Sequence, residues 1–236
     1  MLSNNQQKKI SKLVYKKYRL KMGLFVAEGE KVVNELLNSD YDYESIFSTN
    51  KTNENFFNLS IDEMNKISFL KTPSSILGVF KIPKNTSKID FKNTIIAVDS
   101  VKDPGNLGAI IRLCDWFGIK NIICSRDSVE CYNPKVIQST MGSIARVSCV
   151  YLDLLTFLKK SKNKVYGTFL NEKSIYKCSL EKSGVYVFGN ESKGIKNSIH
   201  KYIDEKISIP YFNQRNKPDS LNIANASAII LSEIFR

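Results

Sequence analysis

The sequence predicts an α/β protein, with a parallel sheet in its second half and a smaller α/β unit before it. Three observations carry that prediction. From Thr94 onward, short continuous apolar runs alternate with helical stretches, the pattern of a parallel sheet covered on both faces. Before residue 82, helical periodicity and two strand-like runs are mixed. Between these regions lies IPKNTSKIDFKN, residues 82–93, polar and without periodicity. It reads as a linker, giving domains 1–85 and 86–236. A chain of 236 residues is long enough for one large or two small domains, each with its own core.

In chain order, Ile10, Leu13, Val14 and Tyr18 recur at helical spacing with lysines between them, which predicts a helix over 8–20. Leu24, Phe25 and Val26 read as a short strand, and Val32, Val33, Leu36 and Leu37 mark a helix ending near Asn38. Ser60 and Glu63 have the spacing of a capping box for a further helix. Residues 76–82 read as a strand. Beyond the linker, apolar runs at 94–98, 121–124, 147–151, 165–169, 185–188 and 207–209 predict six strands, and a last helix runs over 221–235.

Composition excludes several classes. With 42% hydrophobic and 25% charged residues the chain is not disordered, collagen-like or a coiled coil. No apolar run approaches the roughly 18 to 20 residues of a membrane helix, and the basic N-terminal segment lacks the apolar stretch of a secretory signal. Five widely spaced cysteines, no CxxC pair and a single His200 argue against a disulfide framework or a zinc site. The thiols read as reduced, mostly buried groups of a cytoplasmic protein. Lys+Arg 35 against Asp+Glu 23 gives a net charge of +12, which favours a polyanion: nucleic acid or an anionic membrane surface. The excess is uneven, because Lys8, Lys9, Lys12, Lys16, Lys17, Arg19 and Lys21 all precede the first acid, Glu28. An ordinary solvated helix face would also account for such lysines.

Ligands of parallel sheets sit beyond the carboxyl ends of the strands, and three loops there stand out. In IIAVDSVKDPGNLGAIIRLCDWFGI, residues 95–119, a strand ends at Val98, Pro104-Gly105-Asn106 make a turn, and a helix carries Arg112. Taken alone this is an ordinary strand-turn-helix in which the Asn caps the helix and the Arg pairs with a carboxylate. In VYVFGNESKGI, residues 185–195, an apolar strand enters Gly189-Asn190-Glu191. Gly189 and Gly194 have phosphate-loop spacing, but Ile195-Lys196 follow in place of Lys-Ser/Thr. No GxGxxG occurs either, so nucleotide triphosphatase and dinucleotide readings lose their warrant. In ISIPYFNQRNKPDSLNIANASAIILSEIF, residues 207–235, a polar loop leads to Ser220-Leu221-Asn222 and an apolar helix, and Ser220 reads as a possible N-cap.

As an ordered set, the three loops resemble the three motifs of the SpoU–TrmH family of RNA ribose 2′-O-methyltransferases, part of the knotted AdoMet-dependent class. The matching residues are Asn106 and Arg112 in PGNLGAIIR, Glu191 in GNESKG, and Ser220 and Asn222 in the Ser-Leu-Asn triplet. The resemblance covers 94–236, and FVAEGEKVVNELL is similar to a phrase of the family's N-terminal substrate-binding domain. It implies a deep trefoil knot, a homodimer, and AdoMet held largely by backbone groups of the loops containing Gly189, Ile209 and Leu221. The implied reaction moves a methyl group from AdoMet, without a metal, to a ribose 2′-hydroxyl of structured RNA. DNA lacks that hydroxyl. Arg112 would stabilise the developing alkoxide while Asn106 and Glu191 orient Arg112 and the ribose, and Ser220 and Asn222 shape the pocket. Ribosomal RNA is the expected target, with transfer RNA the alternative. A non-catalytic RNA-binding protein and an unrelated α/β enzyme acting on an acidic small molecule are the other readings. One stretch departs from the family: residues 211–219 are longer than usual, with Tyr211-Phe212-Asn213 where a Met and a small residue are common. That difference points to the dimer contact or the pocket of the target nucleotide.

Overall fold

The computed structural model describes residues 2–50, 53–84, 89–212 and 220–236. The chain packs as two compact units: 1–86 with 130–146, and 87–129 with 147–236. The expected boundary between 85 and 86, and most of the unusual 211–219 loop, fall outside the described residues.

The first unit opens with α1 (Asn4–Lys12), started by a capping box between Ser3 and Gln6. The helix expected over 8–20 is broken: an elbow separates α1 from α2 (Lys16–Met22). The cause is Arg19, which is only 2% exposed. Its Nη1 donates to the carbonyls of Leu13 and Val14 at 2.8 and 2.9 Å, satisfying groups that a continuous helix would have used itself. Gly23, at φ 63, then ends α2 in the left-handed region that glycine tolerates. β1 (Leu24–Glu28) is buried throughout. It is followed by α3 (Glu30–Leu37), β2 (Tyr43–Ser48), β3 (Phe57–Asn58), α4 (Ile61–Asn65), started by the expected Ser60–Glu63 capping box, and β4 (Ile76–Lys81). These strands form a sheet in the order β1-β4-β2-β3, with β4 antiparallel to both neighbours and β3 parallel to β2.

The second unit begins with β5 (Ile95–Val98), α5 (Pro104–Trp116) and β6 (Asn121–Ser125). The sequence reading kept 86–236 together, but Glu130–Arg146 packs with the first unit. Within that excursion, α6 (Pro134–Thr140) buries Val136 and Ile137. Glu130 meets Arg19 Nη2 at 2.6 Å, and the Tyr132 ring lies 4.7 Å from that of Phe25. The chain then returns as β7 (Ser148–Leu152), α7 (Leu154–Lys160), β8 (Val165–Ser174), β9 (Val185–Phe188), α8 (Asn197–His200), β10 (Glu205–Ser208) and α9 (Ile223–Phe235). The sheet is parallel throughout, in the order β10-β8-β9-β5-β6-β7. One of its faces is buried by Leu154, Leu158 and Ile199 over Ile95, Ala97, Ile123, Val185 and Val187. Each such leucine, isoleucine or valine contributes roughly 1.5–3 kcal/mol on leaving water. From β5 the order runs outward through β6 and β7 on one side and through β9, β8 and β10 on the other. The boundary between β5 and β9 is therefore a topological switch point, the place where ligands of such sheets generally bind.

Candidate active site

Three loops meet at that carboxyl end, each shaped by its own residues. After β5 the chain passes through buried Asp99 and Ser100, the latter at φ 61, and enters α5 at Asp103. Asp103 Oδ1 accepts from Asn106 N at 2.8 Å, and Pro104 takes the first helical position, where an N–H would have no partner. The cap of α5 is thus Asp103 rather than Asn106, whose side chain is left for other partners. After β9 the chain reverses at Asn190, whose Oδ1 accepts from Ser192 N and Lys193 N at 3.1 and 3.0 Å. A Cβ on Gly189 would stand 2.2 Å from the carbonyl carbon of Gly194, so glycine is what lets the loop close on the strand end. After β10, Asn222 caps α9 by accepting from Ala224 N at 2.8 Å. Ser220, the expected alternative cap, is exposed two residues earlier.

Side chains from the three loops join in one chain of hydrogen bonds. Asn222 Nδ2 donates to Asn106 Oδ1 at 2.9 Å, and Asn106 Nδ2 donates to Glu191 Oε1 at 3.1 Å. Glu191 Oε1 also accepts from Asp103 N at 3.2 Å, while Oε2 accepts from Asn190 Nδ2 at 3.1 Å and Lys102 N at 3.4 Å. Partial burial pushes the Glu191 carboxyl up, but the hydrogen bonds, led by that from Asn106, outweigh it and hold the group below the usual carboxylate range. Glu191 is therefore ionised at neutral pH and, with its lone pairs occupied, a poor proton acceptor.

A second cluster braces the same loops. Asp99, fully buried, accepts from Lys196 N at 2.8 Å and from Ser100 Oγ at 3.0 Å. Lys196 Nζ reaches Asp127 Oδ2 at 3.0 Å and Asp99 Oδ1 at 3.4 Å. Burial works against ionisation of Asp127, yet hydrogen bonds from Ser125, Lys196 and Ser100 win and hold it far below its ordinary value. The loop after β9 is thereby tied to the strand ends of β5 and β6.

The structure brings Asn106, Glu191 and Asn222 together but not Arg112 or Ser220. Arg112 is exposed and has no hydrogen-bond or ion-pair partner among the described residues. It lies six residues beyond Asn106 on α5, which is about 9 Å along the axis and some 120° around it. The expected orientation of Arg112 by Asn106 and Glu191 is absent for that reason. Gly189 and Ile209 are half-buried and Leu221 is 48% exposed. Among the described residues, no group of three His, Cys, Asp or Glu side chains could hold a metal ion. Sequence reasoning missed Asp103, Asn190 and the Asp99–Asp127–Lys196 cluster. An acid directly before Pro at a helix start was a legible sign of the Asp103 cap, whereas the cluster depends on contacts between distant segments.

Residues 93–232 match the SpoU rRNA Methylase family, and residues 4–78 match the MRM3-like substrate binding domain. The 23S rRNA (guanosine(2553)-2′-O)-methyltransferase RlmP of Bacillus subtilis is 30% identical over 240 residues, spanning 97% of this chain and 95% of that protein. RlmB of Neisseria meningitidis, a 23S rRNA (guanosine-2′-O-)-methyltransferase, is 27% identical over 187 residues, 74% of each chain. A solved structure from Porphyromonas gingivalis, assigned to the TrmH family of RNA methyltransferases, superposes with a TM-score of 0.88 at 32% identity, covering 99% of this chain and 98% of that one. The fold is that of an RNA methyltransferase, and the chain belongs to the SpoU rRNA Methylase family.

Proposed function

We propose that the protein methylates a ribose 2′-hydroxyl of large-subunit ribosomal RNA. The observation that carries this reading is the hydrogen-bonded chain Asn222–Asn106–Glu191, which joins all three family motifs at one end of the sheet. The two bacterial relatives named above act on 23S rRNA by their names, which supports the large-subunit target.

AdoMet, when bound, supplies a sulfonium-activated methyl group. The residues of the loops after β9 and β10 fit such a molecule: Leu221 and Ile209 offer apolar contact, and backbone groups around Gly189 offer polar contact. β10 lies at the sheet edge, separated from β9 by β8, yet Asn222 beyond it bonds to Asn106 beyond β5. The position of Asn222 beside the loop after β5, away from the edge strand that precedes it, supports a knotted path. The part of Arg112 is to hold the developing alkoxide and a neighbouring phosphate with its planar, charged guanidinium. Glu191, saturated by four donors, keeps Asn106 and the loops in place. The proton passes to a substrate phosphate or to water. Ser220, exposed beside Leu221, lines the ribose side of the pocket.

A homodimer is part of the proposal, supported by Trp116, 84% exposed at the end of α5, and Phe235, 37% exposed on α9, near Phe117 at 5.2 Å between ring centroids. The first unit is proposed to hold the RNA. Mapping 2′-O-methyl groups in RNA from cells with and without the gene tests the whole reading. One ribose methyl should vanish from the large-subunit RNA. A loss confined to transfer RNA would move the substrate, and no loss together with no methyl transfer by purified protein would overturn the activity.

A further inference from the structure

We propose that the elbow between α1 and α2 is a docking surface for a single-stranded stretch of the RNA substrate, with Tyr15 the ring on which an unpaired base stacks. This rests on the RNA methyltransferase reading and goes beyond it by naming the contact and the conformation of RNA it takes.

The elbow combines the two features such a surface needs. The first is charge without competition. Lys8, Lys12, Lys16, Lys17 and Lys21 are exposed, and no acid occurs in residues 1–27. Lys9 differs, because its Nζ pairs with an acid, Glu44, at 2.5 Å. The second is an aromatic face left open in water. Tyr15 is 61% exposed, and its ring contact is an edge-on one with Tyr18, centroids 6.4 Å apart. Tyr18 makes the contrast: Lys17 and Lys12 stand over its ring at 4.9 and 5.7 Å, so its π-face is taken. No cation covers Tyr15 among the described residues.

The backbone beneath Tyr15 is held firmly. Tyr15 N donates to Lys12 O at 3.0 Å, and Tyr15 O accepts from Tyr18 N and Arg19 N at 3.0 and 3.2 Å. The buried Arg19 guanidinium bonds both carbonyls before it and, through Nε and Nη2, Glu130 Oε2 at 2.8 and 2.6 Å. Glu130 Oε1 is fixed in turn by Tyr132 N at 2.8 Å. A tyrosine presented on a rigid bend loses little freedom on binding. Bases of any sequence stack on such rings while lysines follow the phosphates. A lipid surface fits less well, since the exposed Val14, Tyr15 and Leu20 alternate with lysines instead of forming one apolar face.

The test measures binding of the full-length protein to oligouridylate, to an RNA duplex of equal length and to unmodified ribosomal RNA, at several salt concentrations. Tyr15→Ala should lower affinity for oligouridylate about 5- to 150-fold, lower that for ribosomal RNA in the same direction, and leave duplex binding and the salt slope unchanged. Tyr15→Phe should bind as wild type. The Lys12, Lys16 and Lys17 triple Ala variant should instead flatten the slope by about two to three units. Wild-type oligouridylate affinity in Tyr15→Ala would overturn the proposal, as would Tyr15-dependent binding to phosphatidylserine vesicles without any effect on RNA. Methylation by the wild-type protein, run alongside, separates the two failures. Activity with normal Tyr15→Ala binding sinks only the elbow, and no activity on any RNA sinks the enzyme reading itself.

Discussion

Arg19 and Arg112 both sit on helices of a strongly basic chain, and the structure treats them in opposite ways. Arg19 is 2% exposed, pairs with Glu130 and satisfies two backbone carbonyls, so every face of its guanidinium is spoken for by the protein. Arg112 is exposed with no partner among the described residues, on the helix whose start carries Asn106, which with Glu191 and Asn222 forms a self-satisfied network. A consumed arginine holds a shape, and a free one is available to a ligand. In the proposed mechanism this separates scaffold from chemistry: the carboxylate is locked, and the cation is left free.

The largest expected effect breaks the consumed member. Arg19→Ala leaves Glu130 buried without its partner, which costs about 3–5 kcal/mol of folding stability. Denaturant melts should show that loss, with AdoMet affinity unchanged in whatever fraction is folded, since the candidate AdoMet loops belong to the other unit. Arg19→Met combined with Glu130→Leu should recover most of it, because the cost lies in the unpaired charge. A stability change below 1 kcal/mol in the single variant would show that the pair carries no such role. Arg112→Ala should give the mirror result. Its melting temperature should match wild type, AdoMet binding should persist, and single-turnover methylation should fall about 10²–10³-fold, the loss for one electrostatic partner of the transition state. Wild-type methylation by Arg112→Ala would remove it from the proposed mechanism.

The same contrast explains what could be read from the sequence. The centre of the second sheet was legible because β5, β6 and β9 are short, buried, largely apolar runs, and such runs need no partner to be recognised. β2 was not, because Tyr43 and Glu44 at its start are exposed and leave no alternating pattern. The break between α1 and α2 was hidden because an arginine is read as surface until its partner is known, and Glu130 lies 111 residues away. The return of Glu130–Arg146 to the first unit was hidden for the same reason. The motif residues were legible as types in loops, yet the link from Asn106 to Glu191 spans 85 residues and the link to Asn222 spans 116. Only the fold shows that these three meet and that Arg112, one and two-thirds turns along α5, does not.

Glu191→Gln sharpens the scaffold half of the contrast. The amide keeps the shape but points an N–H₂ at donors that now meet a carboxylate oxygen, either Asn106 Nδ2 and Asp103 N or Asn190 Nδ2 and Lys102 N. AdoMet affinity should fall by roughly 5- to 30-fold, about 1–2 kcal/mol for one buried mismatch. The pH dependence has a defined sign. The folded-state pKa of Glu191 lies below the ordinary glutamate value of 4.5, so its contribution is complete above that value and is lost as pH falls through the lower folded value. AdoMet binding by wild type should be flat through neutrality and weaken only in that acid range, and calorimetry across pH checks it. A Glu191-dependent decline centred near neutral pH would mean that the carboxyl is raised and free to exchange protons.

The smallest effect separates two jobs done by Asn222. Its Oδ1 caps α9 by accepting from Ala224 N, and its Nδ2 donates to Asn106. Asn222→Ala removes both, and a lost cap alone costs about 1 kcal/mol of stability. Asn222→Asp keeps the cap, because a carboxylate accepts from Ala224 N as well as an amide does and suits the positive end of α9. It cannot donate, so Asn106 Oδ1 loses its partner and faces a second negative charge near Glu191. The expected pattern is a melting temperature lowered in Asn222→Ala and preserved in Asn222→Asp, with methylation reduced in both. If Asn222→Asp keeps wild-type activity, the bond to Asn106 is incidental and Asn222 serves the helix alone. If Asn222→Asp is as unstable as Asn222→Ala, the cap is not what Asn222 contributes, and the link between the first and third loops is what holds α9 in place.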